Sequence, residues 1–204
     1  MPESLRERSR ARRRAEIERA ALRLFAERGY DATTVAQVAE AAEVSPRTVS
    51  LYFPSKLELA LSYIADSAQR LSEACANRSA DQTTLDILAG WLQDERKTHG
   101  QTIGLLRAML DANPALRGAE TPEIAESKRK VNEALAADLG RSSDDAVVRL
   151  VNGAMAGVIS ALLQIDPKAD GAAEAFDVAN RLFKSVIRSA EARKGKATRV
   201  RTAG

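Results

Sequence analysis

Two prolines eight residues apart, Pro46 and Pro54, bracket the stretch that most constrains this chain. Proline is tolerated in the first turn of a helix and breaks its interior, so a helix here starts at the first and stops before the second. Ser45 supplies the N-cap, its hydroxyl placed to accept from an unpaired backbone N–H. Val49, Tyr52 and Phe53 fall at i, i+3 and i+4 and form an inner face, leaving Arg47, Thr48, Ser50 and Leu51 pointing outward. Ser55 with Glu58 reads as a capping box opening the next helix, and Thr34 with Gln37 as another opening the previous one. That upstream helix carries Val35, Val38, Ala39 and Ala42 on one face. Two short amphipathic helices flanking Glu43 and Val44 suit a helix-turn-helix whose second helix lies in a DNA major groove. They equally suit two ordinary helices of an all-α core, and spacing alone does not separate these readings.

A longer set of positions does. Phe25-Ala-Glu-Arg-Gly29-Tyr30, Thr33-Thr34-Val35, Val38-Ala39, Val44-Ser45 and Tyr52-Phe53-Pro54-Ser55-Lys56, with Leu57 and Leu59, resemble the N-terminal domain of the TetR family of bacterial repressors over about residues 15 to 61. The rest of the chain resembles that family in helical character and length only. The resemblance implies an all-α protein with a three-helix helix-turn-helix DNA-binding domain over residues 15–54. An all-helical effector-binding and dimerisation domain follows over 55–193. Pro46, Arg47 and Ser50 are then expected at base edges, with Arg47 bidentate on a guanine. Thr34, Ser45, Thr48, Tyr52 and Lys56 are expected on phosphates. Ser50 departs from the family pattern, which commonly has an aromatic there, and Arg47 is left with a larger share of the specificity.

Charge is distributed unevenly. The net charge is +3, yet Arg6, Arg8, Arg10, Arg12, Arg13 and Arg14 against Glu3 and Glu7 give +4 over residues 1–14. Arg193, Lys194, Lys196, Arg199 and Arg201 against Glu191 give another +4 over 189–204, leaving −5 for the body. Basic ends on an acidic body suit polyanion contact at the ends. Residues 1–14 are expected as a disordered arm near the duplex, able to follow phosphates or enter a minor groove, and 194–204 as a disordered, solubilising basic tail.

Composition, 45% hydrophobic and 29% charged with 4% aromatics, favours helices over sheets. A lone cysteine, no signal-peptide pattern and no apolar run long enough to span a bilayer point to a cytoplasmic protein without membrane attachment. No nucleophile elbow, phosphate loop or metal cluster is present, so neither an enzyme nor a cofactor or metal is expected. A nonspecific nucleic-acid protein using its basic ends, or an adaptor for other proteins, are the alternatives to a specific regulator.

Along the body, a long helix runs from Ser55 to about Cys75, with Cys75 a buried apolar group. One helix is expected to end near His99-Gly100, and another begins with Ile103. His99 has no companions with metal-ligand spacing and reads as a helix-end residue. Thr121-Pro122-Glu123 starts a further helix. The most apolar pair, 145–165 and 171–193, is expected to build a twofold four-helix dimer interface, with Gly153 and Gly157 allowing close approach. The family resemblance further implies a small apolar or amphipathic effector. Trp91, Leu92, Ile103, Leu106, Met109, Met155 and Ile159, with Asn132 and Asn152 as polar contacts, are the candidates to line its cavity. The whole reads as a repressor that binds palindromic double-stranded operator DNA as a homodimer and is released by that effector.

Overall fold

The computed structural model of the chain describes residues 4–165, 169–179, 181–183 and 185. Among them the ordered elements are helical: α1 (Leu5–Arg28), α2 (Val35–Ala41), α3 (Pro46–Tyr52), α4 (Lys56–Ala76), α5 (Thr84–Ala112), α6 (Pro122–Leu139) and α7 (Ala146–Gln164). A short 3-10 turn covers Pro114–Gly118, and residues 172–179 are helical again. No strand occurs among the described residues. The all-α expectation holds, as alanine, leucine and arginine-rich segments with apolar positions three and four apart require.

The chain divides into two compact units. Unit 1 takes Met1–Ala68 and His99–Ala125, and unit 2 takes Gln69–Thr98 and Glu126–Gly204. This differs from a boundary at residue 54, because the first half of α4 and the second half of α5 bury side chains with the helix-turn-helix. The core of unit 1 is Ile17, Leu22, Phe25, Val38, Val49, Leu59, Leu106 and Met109, with Phe53 and Tyr63 close behind. The core of unit 2 gathers Leu88, Leu92, Leu135, Val148, Val151, Met155 and Phe183.

One expectation is corrected. The arginine arm is not disordered from residue 5 onward: Ser4 and Glu7 form a reciprocal capping box, and α1 runs unbroken from Leu5 through Arg14 into the apolar turns. Charge alone suggested a mobile arm, but arginine and alanine are strong helix formers and the cap answers the free N–H groups. The break expected at His99 is present: His99 takes φ −118°, ψ 15°, outside the helical region, and kinks the span Thr84–Ala112 into two helical segments. The tail 194–204 and the last turns of the expected dimer helix, 186–193, lie outside the described residues.

Caps elsewhere follow the sequence. Thr121 accepts from Ile124 N–H at 3.4 Å, and Asp145 Oδ1 accepts from Val147 N–H at 2.7 Å. In unit 2, Asp138 accepts from both Arg78 (2.7 Å) and the Thr84 N–H that opens α5 (2.6 Å), pinning the loop between α4 and α5 to α6. Cys75 is 1% exposed, and burial pushes its thiol up to about 11; Arg78 pulls it down less strongly, and Asp138 pushes it up. At neutral pH it is a protonated apolar filler.

The turn between α2 and α3 is a Schellman motif built on a non-glycine residue. Glu43 N–H donates to Glu40 O at 3.0 Å and Val44 N–H to Ala39 O at 2.9 Å, with Glu43 at φ 53°. A left-handed glutamate costs about 1 kcal/mol that glycine avoids. Glu43→Gly is therefore expected to raise unfolding stability in urea by roughly 0.5–1 kcal/mol, and a β-branched Glu43→Val to lower it by more.

Candidate nucleic-acid interface

The surface predicted to meet DNA is built on α3, and its geometry begins with caps. Ser45 Oγ accepts from Thr48 N–H at 3.0 Å, and Pro46 fills the first position, where its missing N–H costs nothing. Thr34 Oγ1 accepts from Gln37 N–H (3.2 Å) while Gln37 Oε1 accepts from Thr34 N–H (2.8 Å). Val49 is 1% exposed and Phe53 is 4% exposed, so these two anchor α3 in the core. The opposite face is free: Pro46, Arg47, Ser50 and Leu51 are exposed, Leu51 at 71%. Ser50 Oγ donates back to Pro46 O at 3.2 Å, and Ser45 and Thr48 share a 2.8 Å hydroxyl contact.

Aromatic and cationic side chains surround the two ends of this face. Lys56 Nζ sits 4.3 Å from the Tyr30 ring centroid and donates to Asp31 O at 3.3 Å. Burial, with the Asp31 charge second, raises the Tyr30 hydroxyl above its usual range, so it stays neutral under Lys56. Tyr52 is half-buried beneath Arg10, whose guanidinium carbon lies 5.8 Å from the ring centroid. Arg14 lies 5.0 Å over the Phe53 ring and grips Asp66 of α4 through both terminal nitrogens.

All eight sequence-predicted DNA-contact residues thus lie in unit 1, on α3 or at the helix starts before and after it. Sequence reasoning missed Arg14, Asp66 and Asn113. The first two are hydrophilic residues of two long helices, and only helical phasing in three dimensions pairs them. The Asn113 side-chain amide accepts from Tyr30 N–H (2.6 Å) and donates to Phe25 O (2.9 Å) and Met109 O (2.8 Å). It ties the end of α1 to the end of α5.

The nine sequence-predicted effector contacts do not gather in one cluster. Ile103, Leu106 and Met109 belong to the core of unit 1, while Trp91, Leu92, Met155 and Ile159 belong to that of unit 2. Asn132 of α6 donates to Ser143 O at 3.1 Å, and Asn152 is half-buried on α7. A separate cleft of about 400 Å³ in unit 2 is lined by Gln93, Arg96, Lys97, Ala173, Phe176 and Asp177, with Arg96 4.5 Å from the Phe176 ring centroid. Among the described residues no group of histidine, cysteine and acidic side chains could hold a metal ion, and no helix is long and apolar enough to cross a membrane.

A capped three-helix unit presenting an arginine-bearing helix with a free polar face defines a helix-turn-helix DNA-binding protein. Comparisons agree: the signature of "Bacterial regulatory proteins, tetR family" matches residues 17–63, and that of "MftR C-terminal domain" matches 92–189. The chain belongs to the TetR family of bacterial regulatory proteins. It is 42% identical to the HTH-type transcriptional regulator TcmR of Streptomyces glaucescens over 42% of this chain and 38% of TcmR, so the match spans well under half of that relative. It is 27% identical to the HTH-type transcriptional repressor AcnR of Corynebacterium efficiens over 68% of this chain and 73% of AcnR. The fold is shared with a TetR-family regulator from Streptomyces coelicolor (TM-score 0.56, 20% identity, 87% of this chain and 99% of that one). It is also shared with the fatty acid degradation regulator FadR of Bacillus halodurans (TM-score 0.57, 22% identity, 84% and 94%).

The Ser45 cap is a stability element as well as a candidate phosphate contact. Ser45→Ala is expected to cost about 1 kcal/mol of unfolding free energy. Ser45→Asp, which keeps an acceptor, should recover most of that loss in the same urea titration while adding a charge that opposes DNA.

Proposed function

We propose that the protein is a cytoplasmic repressor that binds an approximately palindromic operator as a homodimer and releases it when a small apolar or amphipathic molecule binds. The observation that carries this reading is the free face of α3, where exposed Pro46, Arg47 and Ser50 surround no core partner. In this docking, Arg47 reads a guanine through paired N–H donors, while Thr34, Ser45, Thr48, Tyr52 and Lys56 set the register on phosphates. Repression is favoured by the description of AcnR as a repressor.

A twofold axis would place two α3 helices in major grooves about 34–36 Å apart or a longer helical interval, which is why the operator is expected to be palindromic. Support for the dimer comes from α7. Leu150, Gly153, Ala154, Gly157 and Ala161 recur along one exposed stripe of that helix, and Leu150 is 73% exposed. Val178 and Leu182, 40% and 47% exposed, extend the apolar surface of unit 2. Small residues beside an uncovered leucine fit the close approach of a second copy. For the effector, the supporting observation is Trp91: its buried indole N–H has no hydrogen-bond partner among the described residues, a donor that a ligand's oxygen would satisfy.

Selection of bound duplexes from a random pool at near-physiological salt tests the central claim, and a palindromic consensus is the expected outcome. On that consensus, Arg47→Ala should cost about 1–3 kcal/mol and relax preference at one position in each half-site. A uniform loss over all sequences would assign Arg47 to the backbone instead. Sedimentation at low micromolar protein should give twice the 22.0 kDa chain mass. Leu150→Arg with Gly157→Arg should return it to one chain and abolish tight operator binding; a wild-type chain that sediments as a monomer overturns the dimer.

A further inference from the structure

The six arginines before residue 15 are not equivalent once they sit on a helix. At about 100° per residue, Leu5, Arg6, Ser9, Arg10 and Arg13 share one face of α1, whereas Arg8, Arg12 and Arg19 share another. Two are already committed: Arg12 pairs with Glu16 at 3.0 Å, and Arg14 pairs with Asp66. Arg6, Arg10 and Arg13 make no ion pair among the described residues and are exposed. With Leu5, Ser9 and Tyr52 they line an open cleft of about 440 Å³, and Arg10 lies over the Tyr52 ring. Tyr52 is the last residue of α3.

We propose that Arg6, Arg10 and Arg13 form, with Tyr52, a second phosphate-binding site that grips the operator's sugar-phosphate backbone beside the groove entered by α3. The site rests on the reading that α3 docks in the major groove. When the N-terminal residues of a recognition helix meet base edges, its far end lies toward the groove wall, where the negative charge of the strand is concentrated. Three guanidiniums held without carboxylate partners are suited to that charge, because no internal ion pair has to be broken on binding. Arg6 and Arg13 stand seven residues apart, roughly 10 Å along the axis, which matches the rise of about three nucleotides in one strand. The guanidinium on Tyr52 extends the phosphate contact of α3 into α1 without a gap. Such a site adds affinity and docking register to every sequence and discriminates among none.

The test compares two charge-matched variants of the full chain, Arg6→Gln/Arg10→Gln/Arg13→Gln and Arg8→Gln/Arg12→Gln/Arg19→Gln, each checked for helical content. Binding is measured from 50 to 200 mM salt on the selected operator and on a random-sequence duplex of equal length. The first variant is expected to lower the magnitude of the slope of log K against log salt by about 2 to 3, and to weaken both duplexes in equal proportion, leaving their ratio unchanged. The second is expected to change the slope by less than about 1. Equal slope changes in the two variants would overturn the site and leave a diffuse charge effect. A changed operator-to-random ratio in the first variant would also overturn it, assigning these arginines to base reading. Failure of the wild-type chain to bind either duplex would overturn both this site and the DNA-binding reading beneath it.

Discussion

A seven-residue helix does not hold its shape alone in water, because nucleation costs more than so few hydrogen bonds return. α3 is such a helix, and everything around it in unit 1 compensates for that weakness. Burial of Val49 and Phe53 contributes roughly 1.5–3 kcal/mol each at full burial. Ser45 fixes where the first turn starts, and the Glu43–Val44 turn fixes the direction from which it is approached. Val49 and Phe53 are the fully buried anchors, and Tyr52 is half-buried against the same core. That arrangement leaves the outer face with no packing duty, which is the physical condition for side chains there to be spent on a ligand.

The same requirement explains why α1 and α5 carry polar residues at buried seams. Asn113 satisfies groups at the C-terminal end of α1 that would otherwise be left open, and Gly29, at φ 86°, lets the chain turn away there. On α4, Asp66 holds Arg14, whose guanidinium in turn lies on Phe53. Ser62 donates to Glu18 at 2.8 Å one turn earlier. The pairs run between α1 and α4, so the helix that follows α3 is fixed to the first helix of the unit. Loss of one such partner leaves a charged group poorly solvated, a cost larger than the net value of the pair.

How legible this was depends on sequence distance. Ser45, Pro46, Thr34 and Gln37 act within one helical turn, and their roles could be read from spacing. The inner face of α3 was equally readable, because Val49 and Phe53 obey helical periodicity. The arginine segment misled for a different reason: composition signals charge, but Ser4 with Glu7 is a local cap that decides the backbone state of the residues after it. Arg14 with Asp66, and Asn113 with Phe25, are separated by 52 and 88 residues, and no periodicity encodes which long-range partner a polar side chain meets. The effector candidates failed to cluster for the same reason. Trp91 and Met109 both sit on apolar stripes of one helix, and the stripe does not reveal that it serves two cores.

That helix is one of three through which the chain passes between the two units. The chain passes from one unit to the other at 68/69, 98/99 and 125/126, and each crossing lies inside a helix: α4, α5 and α6. A crossing in a loop would let either unit move without consequence for the other, since loose chain transmits little. A crossing in a helix keeps the backbone hydrogen-bond ladder continuous from one unit's residues into the other's. Of the three, α5 is the one interrupted, and its interruption falls on His99 itself, where the Tyr63 ring of α4 packs edge-on at 5.9 Å. α4 carries no such interruption, and it begins three residues after Phe53. Midway along α4, Asp66 holds Arg14, and Arg14 in turn lies over the Phe53 ring that sets α3.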